Sequence, residues 1–182
     1  MKPESDLETL LAQAHQFDPR ALSALHDLFY PQVFRYVSYR IEDQQTCEDL
    51  TSEVFIRLLD FFKNKHGNIH KVKAWMLSTA NHLIQDHYRA SYRRQEEWIE
   101  NHENIPSRHS PEEEFDKDFT SQELRRALVH LTGAQQHVIT LRFSQEMSLQ
   151  ETAETMNKSI EAVKVLQFRA LAALRRQLDK AR

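Results

Sequence analysis

The stretch from Met147 to Arg176 leaves little freedom in how it folds, because its caps, its break and its apolar period all fall at helical spacings. Ser148 stands three residues before Glu151, the reciprocal pair that satisfies free N–H groups at the start of a helix. Leu149, Thr152, Ala153 and Met156 follow at spacings of three and four and mark one face of a short helix. Asn157-Lys158-Ser159 interrupts the pattern. Asparagine tolerates the left-handed backbone that ends a helix, and Ser159 can cap the next one. From Ile160 the apolar period resumes at Val163, Leu166, Ala170, Leu171 and Leu174. Read to Arg176, this second helix is about 25 Å long at 1.5 Å per residue.

A short helix, a three-residue corner and a longer helix form a helix-turn-helix, whose second helix enters the DNA major groove. Ala153 is small enough for the two helices to cross closely there. Opposite the apolar stripe the second helix carries Glu161, Lys164, Val165, Phe168 and Arg169, with Arg175 and Arg176 beyond. Lys164 and Arg169 can donate to guanine or phosphate, and Phe168 can meet a thymine methyl. Lys158, Arg175 and Arg176 are better placed for phosphates, which position without specifying. The same periodicity also suits an amphipathic hairpin inside a helical bundle.

Two glycines in 182 residues argue against a β-rich fold, which would need more turns. Long periodic stretches rich in Leu, Ala, Glu, Gln and Arg predict an all-α protein. Cys47, the single cysteine, excludes an intrachain disulfide, fits a reducing cytoplasm and reads as a small buried apolar residue. There is no run of 18 apolar residues and no apolar leader after Met1, so a soluble cytoplasmic protein without membrane insertion is expected.

The net charge of −3 speaks against a nucleic-acid partner, but its distribution does not. Residues 1–62 hold 5 basic and 11 acidic side chains, 63–94 hold 7 and 1, 95–123 hold 2 and 10, and 124–182 hold 10 and 5. Two basic blocks separated by an acidic strip are two candidate footprints on a polyanion.

In chain order, Leu7, Leu10, Leu11 and Ala14 sketch a first helix. Asp18-Pro19 opens a second whose apolar face runs through Leu25, Phe29, Val33 and Val37 to Ile41, with Pro31 expected to bend or restart it. A helix over Cys47 to Phe62 follows, lined by Leu50, Val54, Leu58 and Phe61. After the basic loop Lys63–Lys71, a helix from Val72 to about Arg94 ends in interleaved Arg89, Tyr92, Arg93 and Arg94. Charge for a backbone and rings for stacking suit single-stranded nucleic acid; a core helix with a basic C-terminal end reads equally well. From Glu96 to Asp118 the period fails around Pro106 and Pro111, as in a flexible acidic linker. Asp118 to His130 is helical again, Gly133 is expected to punctuate its end, and Ala134 to Phe143 adds a further helix.

Together these segments resemble the extracytoplasmic-function sigma factors of bacterial RNA polymerase, over nearly the whole chain and in the family's order. Glu48-Asp49-Leu50-Thr51-Ser52-Glu53-Val54-Phe55 is similar to the E-D-L-x-Q-E-V-F segment that docks on polymerase. Ala74-Trp75 through Asp86 and Arg89 resembles the A-W-L-x-x-I-A-x-N-x-x-x-D-x-x-R helix that melts and reads the −10 element. Leu131-Thr132, Gln135-Gln136 and Val138 to Phe143 resemble the L-P-x-x-x-R-x-V-x-x-L-R-F approach to the second domain. Val163-Lys164 with Arg169-Ala170 resembles the V-K-x-x-x-x-R-A recognition helix that reads the −35 element. Ser52 stands where the family has Gln, Thr79 where it has an aliphatic residue, and Gly133 near its usual Pro. None of these removes a charge.

The resemblance implies two small helical domains: a region 2-like bundle over 1–95 and a region 4-like helix-turn-helix domain over 119–182, joined by the linker 96–118. It implies core RNA polymerase binding through Asp49, Leu50, Glu53, Val54 and Phe55. The loop residues Asn64, Lys65, His66, Asn68 and His70 would shape a pocket for an extruded −10 base, with Lys73, Arg89, Arg93 and Arg94 on the backbone and Trp75 and Asn81 beside them; Trp75 at its helical spacing also reads as core. The −35 contacts would be Lys158, Glu161, Lys164, Val165, Phe168, Arg169, Arg175 and Arg176. The implied partners are core RNA polymerase, promoter DNA and an anti-sigma factor.

No catalytic constellation, cofactor or metal site is expected. His66 and His70 are four apart with a glycine between them and lack a third ligand. Two other classes stay open: a free-standing helix-turn-helix regulator, which would leave Asp49 and the basic-aromatic helix unexplained, and an interaction protein that only sequesters partners.

Overall fold

A chain with caps and apolar faces at helical spacing has one economical solution, helices packed on helices. The computed structural model, which describes residues 3–64, 69, 71–101 and 119–180, contains helices and their connections only. The first bundle is built from α1 (Pro3–His15), α2 (Pro19–Ser38), α3 (Gln44–Lys63) and α4 (Val72–Asn101). The second comprises α5 (Phe119–Val129), α6 (Gly133–Ile139), a π-helical turn (Thr140–Ser144), α7 (Leu149–Met156) and α8 (Ile160–Lys180).

Local chemistry fixes the helix starts. Asp18 accepts from the Ala21 N–H at 2.9 Å with Pro19 at the first helical position. Asp43 accepts from the Thr46 N–H at 2.7 Å, which starts α3 three residues earlier than Cys47. Pro31 neither ends nor restarts α2, which runs through it to Ser38. The Gln32 side chain donates to the Leu28 carbonyl at 3.1 Å beside the gap that proline leaves in the ladder. Helix α4 continues past Arg94 to Asn101; residues 102–118 of the expected linker lie outside the described residues.

Gly133 differs most from expectation. It opens α6 instead of closing α5, because Thr132 and Gln135 form a capping box around it. The expected helix 134–143 is also divided: after Ile139 the ladder widens, and the Gln145 N–H reaches the Thr140 carbonyl at 3.0 Å, a π-type bond. The helix-turn-helix is as read. Ser148 and Glu151 form a capping box, Asn157 ends α7 at φ 51°, and the Ser159 hydroxyl accepts from the Ala162 N–H at 3.1 Å. Of the apolar stripe on α8, Val163, Ala170 and Leu174 are buried, whereas Leu171 is 39% exposed because it falls a full residue off the inward face.

Two buried clusters result, and they interlock. Leu25, Phe29, Val33, Val37, Val54, Leu58, Met76 and Ile84 centre the first, Leu128, Val138, Ala153, Val163 and Ala170 the second. Leu141 and Met147 belong to the second bundle by chain order but are buried in the first cluster, and Tyr39 packs against the second. The two bundles therefore share apolar surface.

Asn157 is the corner's strained point. A β-branched residue there should lower stability by about 1–2 kcal/mol, the cost of a left-handed conformation, and glycine should be close to neutral. Urea denaturation of the full chain checks this: Asn157→Val lowers the midpoint at constant slope, and Asn157→Gly does not.

Candidate nucleic-acid and polymerase interfaces

The second helix of the corner presents one continuous strip. Glu161, Lys164, Val165, Phe168, Arg169, Arg175 and Arg176 are all exposed on the side of α8 away from buried Val163, Ala170 and Leu174, and Lys158 is exposed at the corner itself. Phe168 is 75% exposed, unusual for an aromatic ring unless a partner covers it. The only carboxylate within 4 Å of this strip's arginines among the described residues is Asp179, 3.9 Å from Arg175 Nε. Lys164 and Arg169 are thus uncommitted donors beside an apolar ring, the set that reads guanine edges and thymine methyls.

On α3 the expected docking residues separate by face. Asp49 is exposed and accepts from Gln45 Nε2 at 3.0 Å, and Glu53 is half-buried, pairing with Arg57 at 3.0 Å. Leu50 and Phe55 are partly buried against the first cluster; the Phe55 ring lies 4.9 Å from His26 and 6.1 Å from Tyr30. Val54 must be corrected: it is fully buried and can meet no partner. One turn on from Asp49 and Glu53, Ile56 is 52% exposed on the same face, with Leu59 exposed at its edge. Sequence reasoning missed both. The signal was available, since neither falls on the inward period that Leu50, Val54 and Leu58 define. Acidic groups around bare aliphatics make an interface core rather than a solvated face.

The −10 candidates divide differently. Lys65, His66, Asn68 and His70 lie outside the described residues; Asn64 is exposed at the end of α3. Arg89 and Arg93 are exposed, Arg89 pairing with Asp86 at 3.1 Å, and Arg94 is carried on the backbone of α4. Trp75 is half-buried, edge-on to Phe61 with centroids 5.6 Å apart, which is the packing reading. Lys73 is half-buried and donates to the Gln145 carbonyl at 3.2 Å; burial lowers its pKa from the ordinary lysine value. Asn81 is buried. In this arrangement Lys73 and Asn81 face the second bundle, Asn81 buried and Lys73 half-covered.

What buries Asn81 is a network that no motif announced. Arg40, 2% exposed, donates from Nη1 to Asn81 Oδ1 and to the Tyr36 hydroxyl, both at 2.7 Å, and from Nε to Gln136 Oε1 at 3.1 Å. Its own carbonyl accepts from the Tyr88 hydroxyl. Gln136 in turn donates to the Leu128 and Leu131 carbonyls at 2.9 and 3.2 Å, closing the end of α5. His137 lies edge-on to Tyr36 at 5.8 Å, its Nε2 buried without a hydrogen-bond partner among the described residues. Desolvation first, then the Arg40 and His82 charges, hold its pKa down to about 3. Burial pushes the Cys47 thiol up to about 11, so it is a packing residue and not a reactive one. Around this core Ser78 donates to the Thr155 carbonyl at 2.9 Å, Gln145 to the Gln32 carbonyl at 3.0 Å, and Lys71 pairs with Glu154.

Among the described residues no three His, Cys, Asp or Glu side chains group to hold a metal ion, and no helix is long and apolar enough to cross a membrane. The family model for sigma-70 region 2 matches residues 25–94 and that for sigma-70 region 4 matches 127–176. The chain is 36% identical over 176 residues to the ECF RNA polymerase sigma factor BldN of Streptomyces coelicolor, covering 94% of this chain but 65% of that protein's length. It is 29% identical over 168 residues to the ECF RNA polymerase sigma factor SigX of Bacillus subtilis, covering 87% and 84% of the two. In fold it is similar to CnrH, solved in complex with the cytosolic domain of CnrY (TM-score 0.67, 20% identity, 94% of this chain and 96% of that one). It is likewise similar to the sigma factor RpoE of Bartonella quintana, solved with the anti-sigma factor NepR (TM-score 0.59, 18% identity, 88% and 98%).

His137 gives the shared interface a pH dependence whose sign is fixed. Its pKa is low when the chain is folded and about 6.5 when unfolded, so the unfolded chain binds a proton that the folded chain refuses. Stability present above pH 6.5 is therefore lost as pH falls below it, by up to about 1.4 kcal/mol per pH unit. Asp43, Glu151 and Glu154, whose pKa values are lowered by hydrogen bonds to Thr46, Ser148 and Lys71 respectively, lose their contributions only in more acid solution. Between pH 6.5 and 5 the loss should disappear in His137→Leu, as urea midpoints of the two proteins across that window will report.

Proposed function

Because the chain belongs to the extracytoplasmic-function sigma factors of the sigma-70 family, we propose that it binds core RNA polymerase through α3 and directs initiation at promoters read by α4 and α8. It is a specificity subunit and not an enzyme. The observation that carries the reading is the strip on α8, where seven exposed side chains share one face and, of its arginines, Arg175 alone has a carboxylate within 4 Å among the described residues, Asp179 at 3.9 Å. The polymerase-facing surface is Asp49, Glu53, Ile56 and Leu59, with Leu50 and Phe55 beneath it. The −10 surface comprises the loop 64–70, Lys73, Asn81, Arg89, Arg93 and Arg94. We assign these surfaces to domains over 1–95 and 119–182, an anti-sigma factor as the opposing partner, and the cytoplasm, where polymerase works, as the location.

Geometry sets a condition on this function. Elements centred at −35 and −10 are about 25 base pairs apart, on the order of 85 Å at ~3.4 Å per step. The helices assigned to them, α4 and the α7–α8 pair, touch through Ser78 and Thr155. Promoter engagement therefore requires the bundles to part, and the described arrangement is a resting one.

Two measurements test the proposal. Asp49→Arg should weaken binding to core polymerase at least tenfold with helicity unchanged, since it sets a cation at a surface built for acidic groups; equal affinity in a titration would remove α3 from the interface. For the −35 reader, Arg169→Ala should cost roughly 1–3 kcal/mol and relax preference at one base position, and Arg176→Ala should weaken all sequences alike and flatten the salt dependence. Holoenzyme binding to a randomised duplex pool at two salt concentrations separates these. If Arg169→Ala weakens every duplex equally, Arg169 is a phosphate clamp.

A further inference from the structure

Arg40 is a fully charged side chain buried at the heart of the shared interface, and among the described residues nothing negative meets it. Its acceptors are all neutral oxygens: the Tyr36 hydroxyl, Asn81 Oδ1 and Gln136 Oε1. No carboxylate lies within 4 Å of it among the described residues. Its guanidinium also lies against the first turn of α6, since a Cβ built on Gly133 would stand 3.9 Å from Nη2. A buried cation is normally paired with an anion, and this one is held by neutral oxygens alone among the described residues.

The ownership of the acceptors shows when an anion could enter. Tyr36 and Asn81 come from α2 and α4, in the same bundle as Arg40, and the Tyr88 hydroxyl pins the Arg40 backbone from α4 as well. Gln136 alone comes from the other bundle. When the bundles part, as the proposed function requires, Tyr36 and Asn81 still aim the guanidinium, and the place of Gln136 falls open to solvent. It opens on the side of α4 that carries Lys73 and Asn81. A fixed guanidinium with an open acceptor position, set among other donors, matches a phosphodiester oxygen. We infer that Arg40 is a backbone-phosphate ligand for the melted −10 strand, and that Gln136 and His137 of α6 occupy the strand's place while the bundles are together. The inference rests on the sigma-factor reading and adds to it a residue and a competition: the strand and the second bundle exclude one another at one side chain.

The test has two arms. In the first, holoenzyme is reconstituted from core polymerase and full-length chain, and its binding to a fork-junction promoter with a single-stranded −10 region is titrated at two salt concentrations. Arg40→Gln should bind about tenfold more weakly and lower the slope of log affinity against log salt by about 0.7, one single-strand phosphate's counterion. Arg40→Lys should keep the slope. In the second arm the free chain is titrated with the single-stranded −10 oligonucleotide. Met147→Glu places a carboxylate where a second-bundle side chain is buried in the first cluster, parting the bundles without touching Arg40. It should bind the oligonucleotide at least fivefold more tightly, a gain that added negative charge cannot supply, and Arg40→Gln in the same chain should abolish it. Wild-type affinity and slope in Arg40→Gln overturn the inference. So does a Met147→Glu chain that binds no better, and that arm decides alone should Arg40→Gln lose its helicity. Weakened core binding with unchanged strand binding would place Arg40 against a protein and equally overturn it. Failure of the sigma-factor reading looks different: the wild-type chain itself would then bind no core polymerase and support no promoter-specific transcript.

Discussion

A guanidinium taken out of water must find acceptors inside the protein, and the positions of those acceptors then cease to be free. Arg40 imposes that constraint on four helices. Through Tyr36 it is tied to α2, which ends two residues before it, through Asn81 and Tyr88 to α4, and through Gln136 to α6. Gln136 extends the tie to α5 by donating to the Leu128 and Leu131 carbonyls. Desolvation of a charge without a counter-charge costs several kcal/mol, and here the cost is offset by packing. Leu141 and Met147 enter the first cluster beside it, and Tyr36 and His137 meet edge-on across the seam. The interface is thus held by apolar burial and made specific by one cation.

The two surfaces proposed to read DNA are consequently in different states within one arrangement. The strip on α8 is open along its length, whereas on α4 the seam covers Asn81 and half-covers Lys73. The π-helical turn contributes to this difference. By widening the backbone after Ile139 it carries Leu141 and, through the Met147 N–H to Leu141 carbonyl bond at 3.0 Å, Met147 toward the first bundle. A regular helix through Phe143 would place these side chains on another face.

Much of what depends on neighbours in sequence was legible in sequence. The Ser148–Glu151 box, the left-handed Asn157 and the Ser159 cap each involve residues three apart or fewer, and all three stand as read. Asp18 with Pro19 is of the same kind. Gly133 was misread because two local signals compete there: a glycine that can close one helix and a Thr132–Gln135 pair that can open the next. Pro31 was read as bending or restarting its helix; α2 does not restart there, because tertiary packing of Leu25, Phe29, Val33 and Val37 outweighs a single lost backbone bond. The proposed docking face was half legible: its acids were evident, but Val54 was placed outside, and Ile56 was overlooked although it falls off the inward period. The seam was not legible at all. Arg40 and Gln136 are 96 residues apart, and no local rule couples them. The only trace is that Arg40 continues the inward spacing of Val33 and Val37, a position where a charge should not be.

Leu141 and Met147 complete a core that is not their own, and this has a consequence for the integrity of the molecule. Covalent continuity between Asn101 and Phe119 is not what keeps the two halves together in the resting arrangement. A chain severed there retains every contact of the seam that the described residues make, so the fragments should travel as one particle, and either alone should expose the apolar surface the other had covered. Connection and cohesion are separate properties of this protein, and a cut that destroys the first leaves the second intact.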